Sequence, residues 1–597
     1  MRLHLHAIDI AIVIAYFLTV VLIGLWVSRR GTKDLDSYFL GGKSLPWYLL
    51  GVSDASGMFD ISGTMVLVTW LFMYGLKSIW LPWVWPTFNQ IFLMMFLSGW
   101  LRRSNVLTGA QWIQTRFGND RGGVLAHMSV VVFALVNVIG LLAYAFKGIG
   151  KFAAGMLPWH FDGTRHLLGS VLPASVLTDD SIYAIILMSL TSLYAIKGGM
   201  ISVVITEVMQ FTILTLTALA IGAIAIVKVS PDMIAHNIPA GWMNPFFGKT
   251  LDLNWNGILN SANAALHEDG NDMFAIIFGL MFFKGVLASL AGPAPNYDMQ
   301  RILATRNPRE ACLMNGMVTV VLMFPRYMMI AGITVLALAF AMPHMQAMDK
   351  PDFEKILPIV LSEHVPSGVV GFLLAGLAAA FMSNFAATLN AAPAYVVNDI
   401  YKRFINANAG GKKEVFLSRI VSLVFLVIGI VFGLLTNRIT DVMMWLVGAL
   451  YGGFVMANVL KWYWWRFNGY GYFYGMVAGI GGAMVVPGIT KFIIAHSKFI
   501  QDIVGPTFNQ LYTIPILIVI SLIGCLAGTF LSPPEDEQVL KKFYKTVNPW
   551  GCWGPIRAKV MAEDPSFVPN HDAGRDLTNV AVGIVWQLCL VTLPIYI

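Results

Sequence analysis

The chain has 597 residues, 57% of them hydrophobic and only 12% charged, and its mean hydropathy of +0.70 lies outside the range of soluble globular domains. The net charge of +7 would suit nucleic acid or an acidic partner, but the basic residues form no single patch, so no nucleic-acid partner is expected. Four scattered cysteines, Cys312, Cys525, Cys552 and Cys589, exclude a disulfide framework and a CxxC site.

A membrane span needs roughly 20 apolar residues, and about fourteen such stretches follow one another. The first, residues 7–28, has no small-residue cleavage site after it and reads as a retained anchor. The others lie at 46–74, 79–100, 124–150, 181–196, 200–228, 273–292, 314–342, 366–397, 417–436, 440–460, 471–488, 511–531 and 577–597. With the N-terminus outside, the inside loops and span ends collect Arg29, Arg30, Lys33, Arg102, Arg103, Arg301, Arg306, Lys402 and Arg403, among others. This bias, roughly two to one, predicts a multi-pass protein of the cell (plasma or inner) membrane with both termini extracytoplasmic. The lipid bilayer is its solvent, and a monomer or weak homo-oligomer is expected.

The second span reads GVSDASGMFDISGT from Gly51 to Thr64, dense in Gly, Ser and Asp where a plain span would be aliphatic. The seventh, five further on, ends in SLAGPAPNYD, Ser289 to Asp298. Two interrupted spans at that separation predict a five-plus-five repeat with discontinuous first and sixth core helices. Ordinary helix kinks, which membrane spans tolerate, are the alternative. The expected organisation is 1–45, an extra helix and cytoplasmic loop; 46–228, core helices 1–5; 229–272, an extracellular loop; 273–465, core helices 6–10; and 466–597, additional helices with a cytoplasmic loop at 532–576. That last loop contains an amphipathic run from Glu537 to Tyr544.

A charge inside a bilayer costs about 2.5–3.5 kcal/mol on insertion scales and usually faces protein or water. Asp54, Asp60, Glu207, Lys284, Arg326 and Asp441 are such charges. Asp54 and Asp60 either bind a ligand directly or pair with Lys284 and Arg326 to neutralise buried charge. Arg326, in FPRYMM, either holds a solute carboxylate or braces Asp60. In the ninth span, Ala378, Ala379 and Ala380 permit close helix packing, whereas Ser383 and Asn384 offer oxygens to a hard monovalent cation, which an unwound helix facing them would complement with carbonyls.

Five segments in order carry a resemblance over nearly the whole chain: SYFLGGKSLPWYLLGVS (37–53), SNVLTGAQWIQTRFG (104–118), LYAIKGGMISVVITEVMQ (193–210), QRILATRNPREA (300–311) and MSNFAATLNAAPAYVVNDIYK (382–402). The chain resembles the sodium/solute symporter family, which includes the sodium/glucose and sodium/proline cotransporters. That resemblance implies an all-α polytopic fold with a leucine-transporter-like inverted repeat, and sodium as the coupling ion. It places sodium ligands on Ala380, Ser383 and Asn384 of the eighth core helix, the last an amide where Ser or Thr is usual. On the first core helix it places carbonyl ligands at Ser56 and Phe59, or at Met58 and Ile61 if DISG (60–63) matches the proline-transporter-like DMSG. Glu207 falls where some members bind a further cation, one methylene longer than their aspartate; a buried helix-end acid is the other reading. Ala291 and Gly292 stand where sugar-transporting members carry a Tyr-Trp pair, so the stacking platform for a glucose ring is missing there.

The expected function is sodium-coupled import of a small polar solute (sugar, sugar acid, polyol or amino acid) by alternating access, with Asp54, Asp60, Lys284 and Arg326 as candidate solute contacts. The alternatives are an intramembrane enzyme or a sensor on a transporter-like fold. The near absence of histidine from the spans disfavours the enzyme.

Overall fold

The computed structural model describes residues 6–596 apart from 28–34, 85–88, 158, 163–176, 349, 365–367, 409 and 437. The basic cluster Arg29, Arg30 and Lys33 therefore lies outside the described residues. Among those described, the regular structure is helical, with one isolated bridge between Trp464 and Cys552. Lipid imposes this outcome, because a helix satisfies its backbone hydrogen bonds within one segment.

Among the described residues, 10 helices are long and apolar enough to cross a membrane, and the apolar helix Phe274–Leu290 is shorter. The remaining predicted spans fall on interrupted elements, such as Asn89–Phe92, Leu93–Leu97 and Ser98–Arg103 in sequence. Burial grades the helices from an enclosed core to an exposed periphery. The apolar windows of Ile61–Pro82 and Val369–Ile405 are 94% and 83% buried, whereas those of Ala7–Gly24, Gly469–His496 and Ala573–Tyr596 are 22%, 28% and 28% buried. The first group forms the protein-enclosed core, and the second presents its aliphatic faces to lipid.

Helix Asp179–Lys228 has 50 residues, about 75 Å if straight and more than twice the thickness of the hydrocarbon core. Its contacts show that it doubles back. At its start Asp180 meets Lys355 at 3.3 Å, in the loop that Lys151 also reaches. Its middle lies against the 35–43 segment, where the Tyr38 hydroxyl donates to the Ile196 carbonyl. Beyond its end, Asn237 returns to the Leu338 carbonyl on the face where it began. The element therefore contains two predicted spans, with Met200–Lys228 as the second.

Both interruptions are present. Helix Trp47–Met58 stops at Phe59 (φ −85°, ψ 65°), and Ile61–Tyr74 restarts after Asp60, which is extended. Asp60 is the N-cap of the restart, its carboxylate accepting from the Gly63 N–H. An aspartate is a preferred residue for that role. The second interruption lies between Phe274–Leu290 and Tyr297–Ala304. Gly292 has φ +84° there, Pro293 and Pro295 lack backbone N–H groups, and Asn296 caps the restart through the Asp298 N–H at 3.1 Å.

The long segment 229–272 clamps the first broken helix. Trp242 and Trp255 donate their indole N–H groups to the carbonyls of Phe72 and Met73, at 2.9 and 3.0 Å. The polar stretch of that loop folds as helix Asn260–Glu268. Nearby, burial alone would raise the Glu354 carboxyl, but the Lys151 ammonium 2.6 Å away and the Thr440 bonds hold it below its ordinary value. At the opposite face, the amphipathic run is part of helix Glu537–Val547.

Candidate sodium and solute site

The two interruptions meet around one cavity of about 210 Å³. Met58 and Asp60 reach it from the first break, and Asn296, Tyr297 and Asp298 from the second. Arg326 and Asn384 reach it from the flanking helices. Backbone that is not helical at membrane depth is tolerated where it lines such a space.

At one edge of the cavity, helix Val369–Pro393 presses Ser383 and Asn384 against the end of the first half-helix. The Ser383 hydroxyl donates to Ser56 Oγ at 2.8 Å, and the Asn384 amide donates to the Gly57 carbonyl at 2.7 Å. Ser56 and Ser383 are fully buried, as are Phe59 and Ala380 to within 1%. Two hydroxyl oxygens, one from each helix, and the Gly57 carbonyl thus converge at the end of the half-helix, oxygens of the kind that a hard monovalent cation takes.

The four charged candidates separate. Asp60 is occupied as a helix cap. Arg326 lies 5.9 Å over the Phe59 ring, and its Nε has no hydrogen-bond partner. A Cβ on Gly63 would come within 3.0 Å of Arg326 Nη2, Asp60 Oδ2 and the Tyr144 hydroxyl alike, so these three groups converge on that glycine. Lys284 is absent from the cavity wall and lies 5.8 Å over the ring of Tyr451, which does line it. Asp54 sits behind the wall, 3.9 Å from Arg301 Nε.

Glu207 is taken up by Arg301, which donates from Nη2 to both carboxylate oxygens at 2.7 and 2.6 Å. The Ser53 hydroxyl also donates to Glu207. Where a second cation was a candidate, the carboxylate already holds a guanidinium. Arg301, which the sequence groups with the basic residues of inside loops and span ends, is buried to 1%. Asn89, Gln90, Asn137, Tyr144 and Asp298 were also not singled out, although each lines the cavity. The available signal was a lone amide in an aliphatic run, as with Asn137 in VVFALVNVIGLL. Ala291 and Gly292 are not in the cavity wall: Trp462 donates to the Ala291 carbonyl at 3.0 Å and packs over Gly292.

A helical membrane protein with two interrupted helices meeting around one cavity, lined by apolar side chains and a few charged and amide groups, is, by class, a secondary transporter. Residues 38–163 and 166–479 match the Sodium:solute symporter family, and the chain belongs to it. Sodium/glucose cotransporter 4 of Danio rerio is 25% identical over 622 residues, covering 96% of this chain and 85% of that protein. The sodium/glucose cotransporter of Vibrio parahaemolyticus is 24% identical over 557 residues, covering 87% and 91%. The sodium/myo-inositol cotransporter of Mus musculus is 24% identical over 603 residues, covering 90% and 75%. Among solved structures, a substrate-bound, outward-open Na+-coupled sialic acid symporter superposes with a TM-score of 0.61 at 17% identity, covering 89% of this chain and 99% of that one. The fold is the leucine-transporter-like inverted repeat. Sodium is the coupling ion, and the activity is sodium-coupled solute symport.

Proposed function

We propose that the protein imports a small polar organic solute across the cell membrane by alternating access, the solute occupying the cavity between the two breaks. In this reading sodium binds beside it, held by Ser383, Asn384 and the Ala380 carbonyl from one helix and by carbonyls of the unwound stretch, Ser56 and Phe59 or Met58 and Ile61, from the other. The observation that carries the reading is the pair of contacts from Ser383 to Ser56 and from Asn384 to Gly57, because Asn384 also forms part of the cavity wall. A cation there ties the first break to the scaffold and shapes the solute pocket. Sodium then raises solute affinity, and the solute must raise sodium affinity by the same factor.

Arg326 is the principal charged contact for the solute, and Asp60 shapes the pocket by starting the second half-helix. Glu207 acts with Arg301 as a structural ion pair. Both termini face outward, as the distribution of basic residues indicates. The test is radiolabelled uptake into proteoliposomes from a panel of sugars, sugar acids, polyols and amino acids, with sodium or potassium outside. Accumulation of one class only under an inward sodium gradient is expected. Equal uptake with either cation, or none from the whole panel, would contradict the reading.

A further inference from the structure

The cavity wall carries charges of both signs that its own residues leave unsatisfied. Arg326 Nε is buried without a hydrogen-bond partner, and so is Asp298 Oδ1. Asp298 lies against the fully buried Asp54 and shares a side-chain hydrogen bond with it, so the two carboxyls hold one proton between them and carry one negative charge as a pair. The cation beside these two acids is Arg301, which Glu207 already engages through both of its oxygens. Glu207 and the Asp54–Asp298 pair thus share one guanidinium, leaving this part of the site one positive charge short.

We infer that the transported solute supplies that charge, and that it is a small zwitterion whose ammonium group is held by Asp298 and whose carboxylate is held by Arg326. This rests on the solute site proposed above and narrows its substrate to amino-acid chemistry. An uncharged sugar or polyol leaves the deficit at Asp298 in place, and uncompensated buried charge is costly. A simple carboxylate would deepen it. The unpaired amide atoms agree in kind: Asn89 Oδ1, Gln90 Oε1 and Asn137 Oδ1 lack donors, while Asn137 Nδ2 lacks an acceptor. More acceptors than donors await a partner, which a primary or secondary ammonium satisfies and a quaternary nitrogen does not. A planar guanidinium is likewise the matching receptor for a carboxylate. The space of about 210 Å³ suits an amino acid of modest size.

The experiment is a thermal-shift titration of the purified full-length protein with alanine, serine, proline and glutamine. Glycine betaine, propionate, propylamine, glucose and myo-inositol serve as comparators, each in sodium and in potassium. A ligand that binds the native state raises its melting temperature by mass action. At least one amino acid is expected to stabilise the protein, at least tenfold more tightly in sodium, while the comparators bind at least tenfold more weakly. Asp298→Asn and Arg326→Gln should each weaken amino-acid binding at least tenfold while leaving sodium's own stabilisation in place. Tighter sodium-dependent binding of glucose or myo-inositol would overturn the zwitterion while leaving symport intact. Amino-acid binding that is equal in sodium and potassium would contradict the coupling and leave the zwitterion standing. Stabilisation by none of the four amino acids overturns the inference, and the wild-type titration decides this even if a variant fails to fold.

Discussion

Arg301 and Glu207 join the two broken helices to the scaffold. Arg301 lies on helix Tyr297–Ala304 beyond the second break, Glu207 on the doubled-back helix Asp179–Lys228, and Ser53, which accepts from Arg301 Nε at 2.9 Å, on the first half-helix. Removing one partner of a buried pair strands the other charge and costs about 3–5 kcal/mol. Arg301→Ala is therefore expected to destabilise the protein by that amount, with Arg301→Ala/Glu207→Ala well short of the sum of the single losses. Thermal unfolding in detergent checks this; additive losses would show that the two residues do not act as a pair.

Asp60 is expected to matter first as a cap. Asp60→Ser retains an oxygen for the Gly63 N–H, whereas Asp60→Ala removes it and should cost about 0.5–2 kcal/mol. Equal loss from the two substitutions, measured by unfolding, would argue for the charge over the cap.

Gly453 and Gly479 mark a helix crossing that admits no side chain: a Cβ on Gly479 would lie 2.0 Å from the Gly453 carbonyl oxygen. Small residues permit such approach in membrane bundles. Gly479→Ala should force the helices apart at a cost of about 1–3 kcal/mol. An unchanged melting temperature would mean that the crossing is looser than the backbones indicate.

Glu535, in the loop after the Ile514–Phe530 helix, gives a pH signature. Burial, with help from the Asp120 and Asp536 charges, pushes its carboxyl from 4.5 up to about 7, although the Gly469 N–H and Arg116 pull the other way. A raised folded-state value means that its stabilising contribution is complete below about pH 4.5 and is lost as pH rises through about 7. Glu535→Gln should flatten that part of the stability profile and favour the variant above pH 7. Parallel profiles for variant and wild type would contradict the assignment.

Much of the fold was legible because lipid makes polarity conspicuous. GVSDASGMFDISGT and SLAGPAPNYD announced both interruptions by composition, and both helices break there. The roles within the first break were less legible. Asp60 was weighed as a charge in need of a partner, yet its nearest work is local, three residues along the chain, where the restarting helix exposes its N–H groups. Arg301 escaped notice because basic residues near a span end read as topology, whereas burial brought it under the membrane charges. Asn137 and Gln90 escaped because a lone amide in an apolar run reads equally as glue between helices. Only the arrival of both breaks at one cavity distinguishes the two.

The most direct test of sodium coupling at the first break is equilibrium binding of radioactive sodium to the purified protein and to Ser383→Ala. Saturable binding to the wild type, displaced by unlabelled sodium and not by potassium, is expected, with affinity at least tenfold lower in the variant despite an intact fold. Unchanged sodium affinity in Ser383→Ala would contradict the site.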